Sequence, residues 1–240
     1  MKRTIFIVIF LHFFIHIFGE IHEARENSDG LYGFVDRRGK WIVPPIYYLT
    51  FWNEEDKIGE ARVKSYEDES LIYDAKGKLL FPSVYKEVYR DKECGLLHLK
   101  KGKRKPLDPN ILDGNPLPLS ENEHVEDLRS LEPGSGKLSI VSYYWGIGDF
   151  SGNIIIPCDY TTIVYLAEYK AFLVEKQTED QIQMGLIDMT GEIIVPCQFQ
   201  EIKVATENIY RVKNMDGKYG YYAHGIEIIP CVYDSATLFK

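Results

Sequence analysis

The sequence predicts an all-β chain of about six tandem repeats of ~37 residues, roughly three short strands each, forming an open curved solenoid. Three observations predict it: a glycine–aspartate–glycine–proline spacing that recurs along the chain, an apolar β-prone stretch before each proline, and an alternating stretch that closes each copy. The same repeats could instead close into a propeller-like ring.

The spacing is clearest in YGFVDRRGKWIVPP, with Gly33, Asp36, Gly39 and Pro44. It returns as Gly146, Asp149, Gly152 and Pro157, and as Gly185, Asp188, Gly191 and Pro196. A copy one residue shorter carries Gly220, Gly225 and Pro230. Another keeps Asp74, Gly77 and Pro82 but has Leu71 in place of the first glycine. A gap of two periods remains, and Asp108–Leu119 fills it with only Gly114 in frame. The anchors at 33, 71, 108, 146, 185 and 220 are then separated by 38, 37, 38, 39 and 35 residues. Repeats accordingly start near residues 31, 69, 106, 144, 183 and 218.

Each copy reads as a hairpin. The Asp side chain can accept from backbone N–H groups in the turn, and the glycine can take positive φ. Ile154–Ile156 and Ile193–Val195 are apolar at successive positions, which predicts a strand covered on both faces. Proline, with no N–H for the ladder, ends it. An aromatic follows three residues later at Tyr47, Tyr85, Tyr160, Phe199 and Tyr233. The closing stretches fall at 60–63, 96–99, 138–141, 172–174 and 210–212. Ile21–Asn27 reads as such a closing strand with no hairpin before it, while the last copy stops with little room for its own. That mismatch motivates the ring alternative, in which the first strand completes the last repeat.

The pattern resembles the WG repeat family, with Trp145-Gly146 as the name-giving dipeptide and Tyr32, Met184 or Tyr219 at the tryptophan position elsewhere. The resemblance spans about residues 31 to 240. It implies a β-rich repeat protein, usually bacterial, and transfers no catalytic residue.

Residues 1–19 resemble a secretory signal peptide, with Met1, Lys2 and Arg3 ahead of an apolar run from Thr4 to Phe18. That run is shorter than the ~20 residues a spanning helix needs, so no stable membrane span is expected after its removal. Residues 20–240 form one β-repeat domain, and a secreted, periplasmic or cell-surface location follows. The formal charge of -8 argues against nucleic-acid binding through phosphate neutralisation.

No reaction announces itself, and no cofactor is implied. There is no nucleophile elbow, phosphate-cradling loop, HExxH or CxxC motif. Asp36, Asp74, Asp149 and Asp188 could be imagined as paired acids for glycoside hydrolysis, but their shared turn context explains them better. Cys158, Cys197 and Cys231 each follow the repeat proline, which predicts free buried thiols rather than bridges between sheets ~10 Å apart. Cys94 lies apart from them. The four histidines beyond the leader, His22, His98, His124 and His224, are scattered. In the acidic loop 120–136, Glu121, Glu123, His124, Glu126 and Asp127 have the right chemistry for a cation, but no binding frame, so no metal site is expected.

Trp41, Trp52 and Trp145 remain as candidate ligand-binding residues, set against the plainer reading that they fill the core. The expected function is a noncatalytic binding or scaffold protein of the cell envelope that presents its repeat surface to a protein partner. An envelope glycan bound by exposed aromatics is the alternative, and a hydrolase with an atypical site around His98 or His124 is a third.

Overall fold

A computed structural model describes residues 19–63, 69–106, 123–127, 138–178 and 181–238. The described residues hold no helix, and therefore none long and apolar enough to cross a membrane. Five small antiparallel sheets follow one another along the chain.

The first sheet is β1 (Glu23–Glu26), β2 (Tyr32–Val35) and β3 (Trp41–Tyr47); the second is β4 (Leu49–Asn53), β5 (Ile58–Arg62) and β6 (Ser70–Asp74). The third takes β7 (Glu87–Arg90), β8 (Leu97–Pro106), β9 (Glu123–Asp127), β10 (Leu138–Gly148) and β11 (Ile154–Tyr160). The fourth runs β12 (Thr162–Leu166), β13 (Ala171–Gln177), β14 (Ile182–Asp188) and β15 (Ile193–Phe199). The fifth runs β16 (Glu201–Thr206), β17 (Ile209–Lys213), β18 (Tyr219–Ala223) and β19 (Ile226–Tyr233).

The sheets are offset from the sequence repeat. β13, the closing strand that follows one hairpin, pairs with β14 of the next hairpin, from Ala171↔Asp188 to Gln177↔Ile182. The stretch after the proline aromatic supplies a further strand, so the fourth and fifth sheets have four strands rather than the three expected per repeat. The same offset accommodates the N-terminal strand. β1 pairs with β2, from Glu23↔Val35 to Glu26↔Tyr32, instead of completing the last repeat.

The described residues form five sheets, against about six repeats expected from the spacing. β8 and β10 pair directly from Leu97↔Gly148 to Pro106↔Ser139. The expected copy around Gly114 falls in the intervening stretch. Gly114 and most of the acidic loop 120–136 lie outside the described residues, as do residues 1–18 of the expected leader.

The repeat glycine and proline are two halves of one irregularity. Opposite Gly146 the ladder jumps from Trp145↔Tyr160 to Ile147↔Ile156, so the Pro157–Cys158 stretch bulges across the glycine. The same jump occurs at Gly33, Gly185 and Gly220. A Cβ on Gly146 would sit 2.6 Å from Ile156 O, and one on Gly185 would sit 2.7 Å from Cys197 Cα. Leu71 shows the converse. Where the glycine is missing, the partner strand is reduced to two isolated bridges, Ser70↔Tyr85 and Tyr73↔Leu79.

Hairpin tips seat each sheet on the one before. The Gly225 N–H donates to Ile194 O at 2.9 Å, and a Cβ on Gly191 would meet Ile155 O at 2.5 Å. Four apolar clusters fill the successive joints. Phe34 and Ala61 share the first, Ile72 and Leu99 the second, Ile147 and Phe172 the third, and Leu186 and Val212 the fourth.

Candidate functional site

The turn aspartates are structural. Asp149 Oδ1 accepts from the N–H groups of Ser151 and Asn153, both at 2.8 Å, and Asp36, Asp74 and Asp188 repeat the arrangement. The Lys40 N–H, and then that of Arg38, holds the Asp36 carboxyl below the usual carboxylate range. Burial pushes Asp149 and Asp188 upward, but hydrogen bonds from Asn153 and Thr190 and from the turn N–H groups outweigh it, and both end lowered. A carboxylate lowered on folding contributes stability that is present above its unfolded value of ~3.9 and lost as pH falls through the folded one. The urea midpoint is therefore expected to fall steeply below about pH 4. A midpoint unchanged between pH 5 and pH 3, by far-UV circular dichroism, would contradict this.

All four cysteines are free and half-buried. Burial pushes the Cys158 thiol up to about 11 and also raises Cys197 and Cys231. Their sulfurs fill the bulge: a Cβ on Gly220 would sit 2.7 Å from Cys231 Sγ. These thiols are space-fillers rather than nucleophiles.

The three tryptophans are not gathered. Trp41 opens β3, half-buried. Trp52 meets Phe34 edge-on at 6.4 Å, and its Nε1 donates to Glu54 at 2.7 Å. Trp145, on the third sheet, packs edge-on to Tyr89 at 5.8 Å, with Lys100 Nζ 5.0 Å from its ring centre.

A surface feature does recur. The residue opposite the second position after the repeat glycine is Trp41, Leu79, Ile154, Ile193 and then Glu227. Leu79 is 37% exposed, Ile154 44% and Ile193 52%. The strand expected to be covered on both faces is thus uncovered where it leaves the turn. Only the residues nearer the proline, such as Ile156 and Val195, are fully buried. Ile193 also borders a cleft of about 210 Å³ between the fourth and fifth sheets, with Tyr169, Asp188, Tyr210 and His224 around it.

The remaining chemistry lies at the β7–β8 turn. Asp91 Oδ1 accepts from the Glu93 N–H at 2.8 Å, and the Gly95 N–H donates to Asp91 O at 2.8 Å. Gly95, at φ 72°, completes the reversal. This turn brings Asp91, Cys94 and His98 together, with one ligand atom from each within 4.8 Å of the others. His98 stacks on Tyr89 at 4.9 Å and meets Trp145 and Phe172 edge-on, both at 6.4 Å. Burial lowers the His98 pKa against the pull of Asp91, and burial raises the Cys94 thiol. Sequence reasoning named Cys94 and His98 separately and missed the trio. Its signal was the spacing Asp-x2-Cys-x3-His within a single turn.

Of the acidic-loop residues, 123–127 form β9 and Glu121 lies outside the described residues. Glu123 accepts a hydrogen bond from Ser142 Oγ at 3.0 Å.

Against known proteins, the family model described as "WG containing repeat" matches residues 32–51 and 184–219. Two stretches of the chain match the WG repeat. The first match spans the β2–β3 hairpin and the start of β4; the second runs from Met184 in β14 to Tyr219 in β18. Each covers a glycine bulge, at Gly33 and at Gly185. No curated protein matches the chain. Among solved structures, one described as "Crystal structure of the eukaryotic initiation factor" is similar at 10% identity and a TM-score of 0.29, over 91% of this chain and 53% of that one. The chain thus spans about half the length of that structure.

Proposed function

We propose that this WG-repeat protein is a noncatalytic binding or scaffold module of the cell envelope, an open curved array that holds a protein partner on its repeat surface. The observation that carries the reading is the exposed row at Leu79, Ile154 and Ile193, one apolar residue at the same register position in successive sheets, with Trp41 at its head. Repeat arrays bind along surfaces repeated in this way, and exposed apolar positions favour a partner that covers them. The row is mostly aliphatic. That favours a protein over a glycan, whose flat faces are matched by aromatic rings, and two of the three tryptophans are engaged elsewhere.

An open array is supported by the aromatic after the proline. Tyr47, Tyr85, Tyr160 and Phe199 are buried against a following sheet, whereas Tyr233 is 52% exposed. The basic start and apolar run of residues 1–19 support an envelope location, and the charge of -8 supports a partner other than nucleic acid.

The test compares the full chain with an Ile154→Asp, Ile193→Asp variant in crosslinking pulldown from envelope extract. The expected result is a reproducible protein partner, crosslinked near β11 and β15 and lost from the variant. Equal capture by both chains overturns the use of this row, and an eluate of glycan alone favours carbohydrate binding instead.

A further inference from the structure

We propose that Asp91, Cys94 and His98 form a binding site for a borderline divalent transition-metal ion, with zinc the ion that the donor set fits best. This departs from the expectation, drawn from sequence, that the chain holds no metal. It stands apart from the exposed row and does not depend on it.

Three features of the β7–β8 turn carry the assignment. The first is a buried nitrogen that makes no hydrogen bond. The His98 side chain is 4% exposed, and its Nε2 makes no hydrogen bond although Asp91 Oδ2 lies 3.3 Å away. A buried imidazole nitrogen whose hydrogen bond is unmade is costly, and an ion between it and the Asp91 carboxylate removes the cost.

The second is a division of labour within Asp91. Oδ1 is used by the Glu93 N–H in the turn, and Oδ2 faces His98. The 3.3 Å gap between Oδ2 and Nε2 equals the separation of about 3.3 Å expected between two ligand atoms each ~2.0 Å from a tetrahedral ion. Cys94 reaches the same point from three residues along the turn, and the trio spans no more than 4.8 Å.

The third is charge. A dication held by one thiolate, one carboxylate and one neutral imidazole forms an electrically neutral unit, which suits a site packed against Trp145 and Phe172. Mixed N, O and S donors exclude calcium and magnesium, which take oxygen ligands, and suit zinc and its neighbours. Three protein ligands would leave a fourth position for water, and the Asp91 side chain, 20% exposed, is within reach of solvent. In that place the ion would tie the turn to the face of β8 that packs on the fourth sheet.

The test uses the full chain, stripped with a chelator and titrated with Co²⁺ and then Zn²⁺. The expected result is one Co²⁺ per chain, with the visible bands of a tetrahedral site and a thiolate charge-transfer band, displaced by Zn²⁺. Cys94→Ser should abolish the charge-transfer band, while Cys158→Ser should leave it intact. His98→Gln and Asp91→Asn should each weaken Zn²⁺ binding about 100-fold or more, beyond what loss of an outer-shell partner costs. Asp91→Asn keeps the Oδ1 that caps the turn, so it reads the site even if the other variants fail to fold. The proposal is overturned if the full chain binds neither ion, if the cobalt spectrum lacks the thiolate band, or if Cys94→Ser and Asp91→Asn bind as the parent does.

Discussion

Replacing Phe172 by Ala is expected to lower the stability of the array by about 4 kcal/mol, within the range for emptying a buried phenylalanine site. Phe172 lies at the start of β13 and is fully buried. Its ring packs on Tyr165 across the β12–β13 pair at 5.3 Å and meets His98 of the preceding sheet at 6.4 Å. The side chain therefore belongs both to its own sheet and to the joint with the third. In a linear array, stability is the sum of the units and of the interfaces between neighbours. One truncation here weakens two terms. Urea unfolding gives the total, and hydrogen exchange locates the loss: amides of β8, β10 and β13 should lose more protection than those of the first sheet. A loss below about 1 kcal/mol would mean that the third and fourth sheets do not depend on this joint.

The elements that could be read from the sequence are those whose cause is local. Asp188 and Gly191 make a turn from four residues, and the N–H groups that Asp188 accepts lie two and four residues on. The pairing of strands into sheets is not local in this sense. β13 follows one hairpin and pairs with the next, and nothing in a 37-residue frame marks the seam at residue 200 as the boundary between sheets. The pairing on either side of the expected third copy is also not local. β8 and β10 pair directly across the stretch that holds it, from Leu97↔Gly148 onward, a contact between distant residues that no local spacing marks. Ile154 and Ile193 misled in another way. Three successive apolar residues suggest a strand buried on both faces, but the first of them opens the strand beyond the cover of the next sheet. The Asp91–Cys94–His98 trio was hidden because it breaks the repeat. His98 takes the β8 position that Leu173 holds in β13, so a reading built on equivalence looked past it.

The glycine of the repeat yields the second large effect. Gly185→Ala is expected to cost about 3 kcal/mol, the upper end of the range for overpacking. The added methyl would meet Cys197 Cα at 2.7 Å and its N at 2.8 Å, and these are backbone atoms of the paired strand rather than the free end of a side chain. Relief requires the bulge carrying Pro196 and Cys197 to lift away from β14. That movement disturbs the joint with the fifth sheet, because Val195 and Phe199 on either side of the bulge are buried in it. The second repeat indicates the form the relief takes. With Leu71 at the glycine position, Ser70↔Tyr85 and Tyr73↔Leu79 persist as single bridges, while no continuous strand lies between them. Gly185→Ala should therefore retain the pairings Met184↔Phe199 and Ile187↔Ile193 and lose protection at the amides of Val195, Cys197 and Gln198 between them. Hydrogen exchange resolved to single amides checks this directly. Uniform loss across the whole fourth sheet would show that the bulge is not a separable unit, and no loss at all would show that the close approach of β15 is not what the glycine serves.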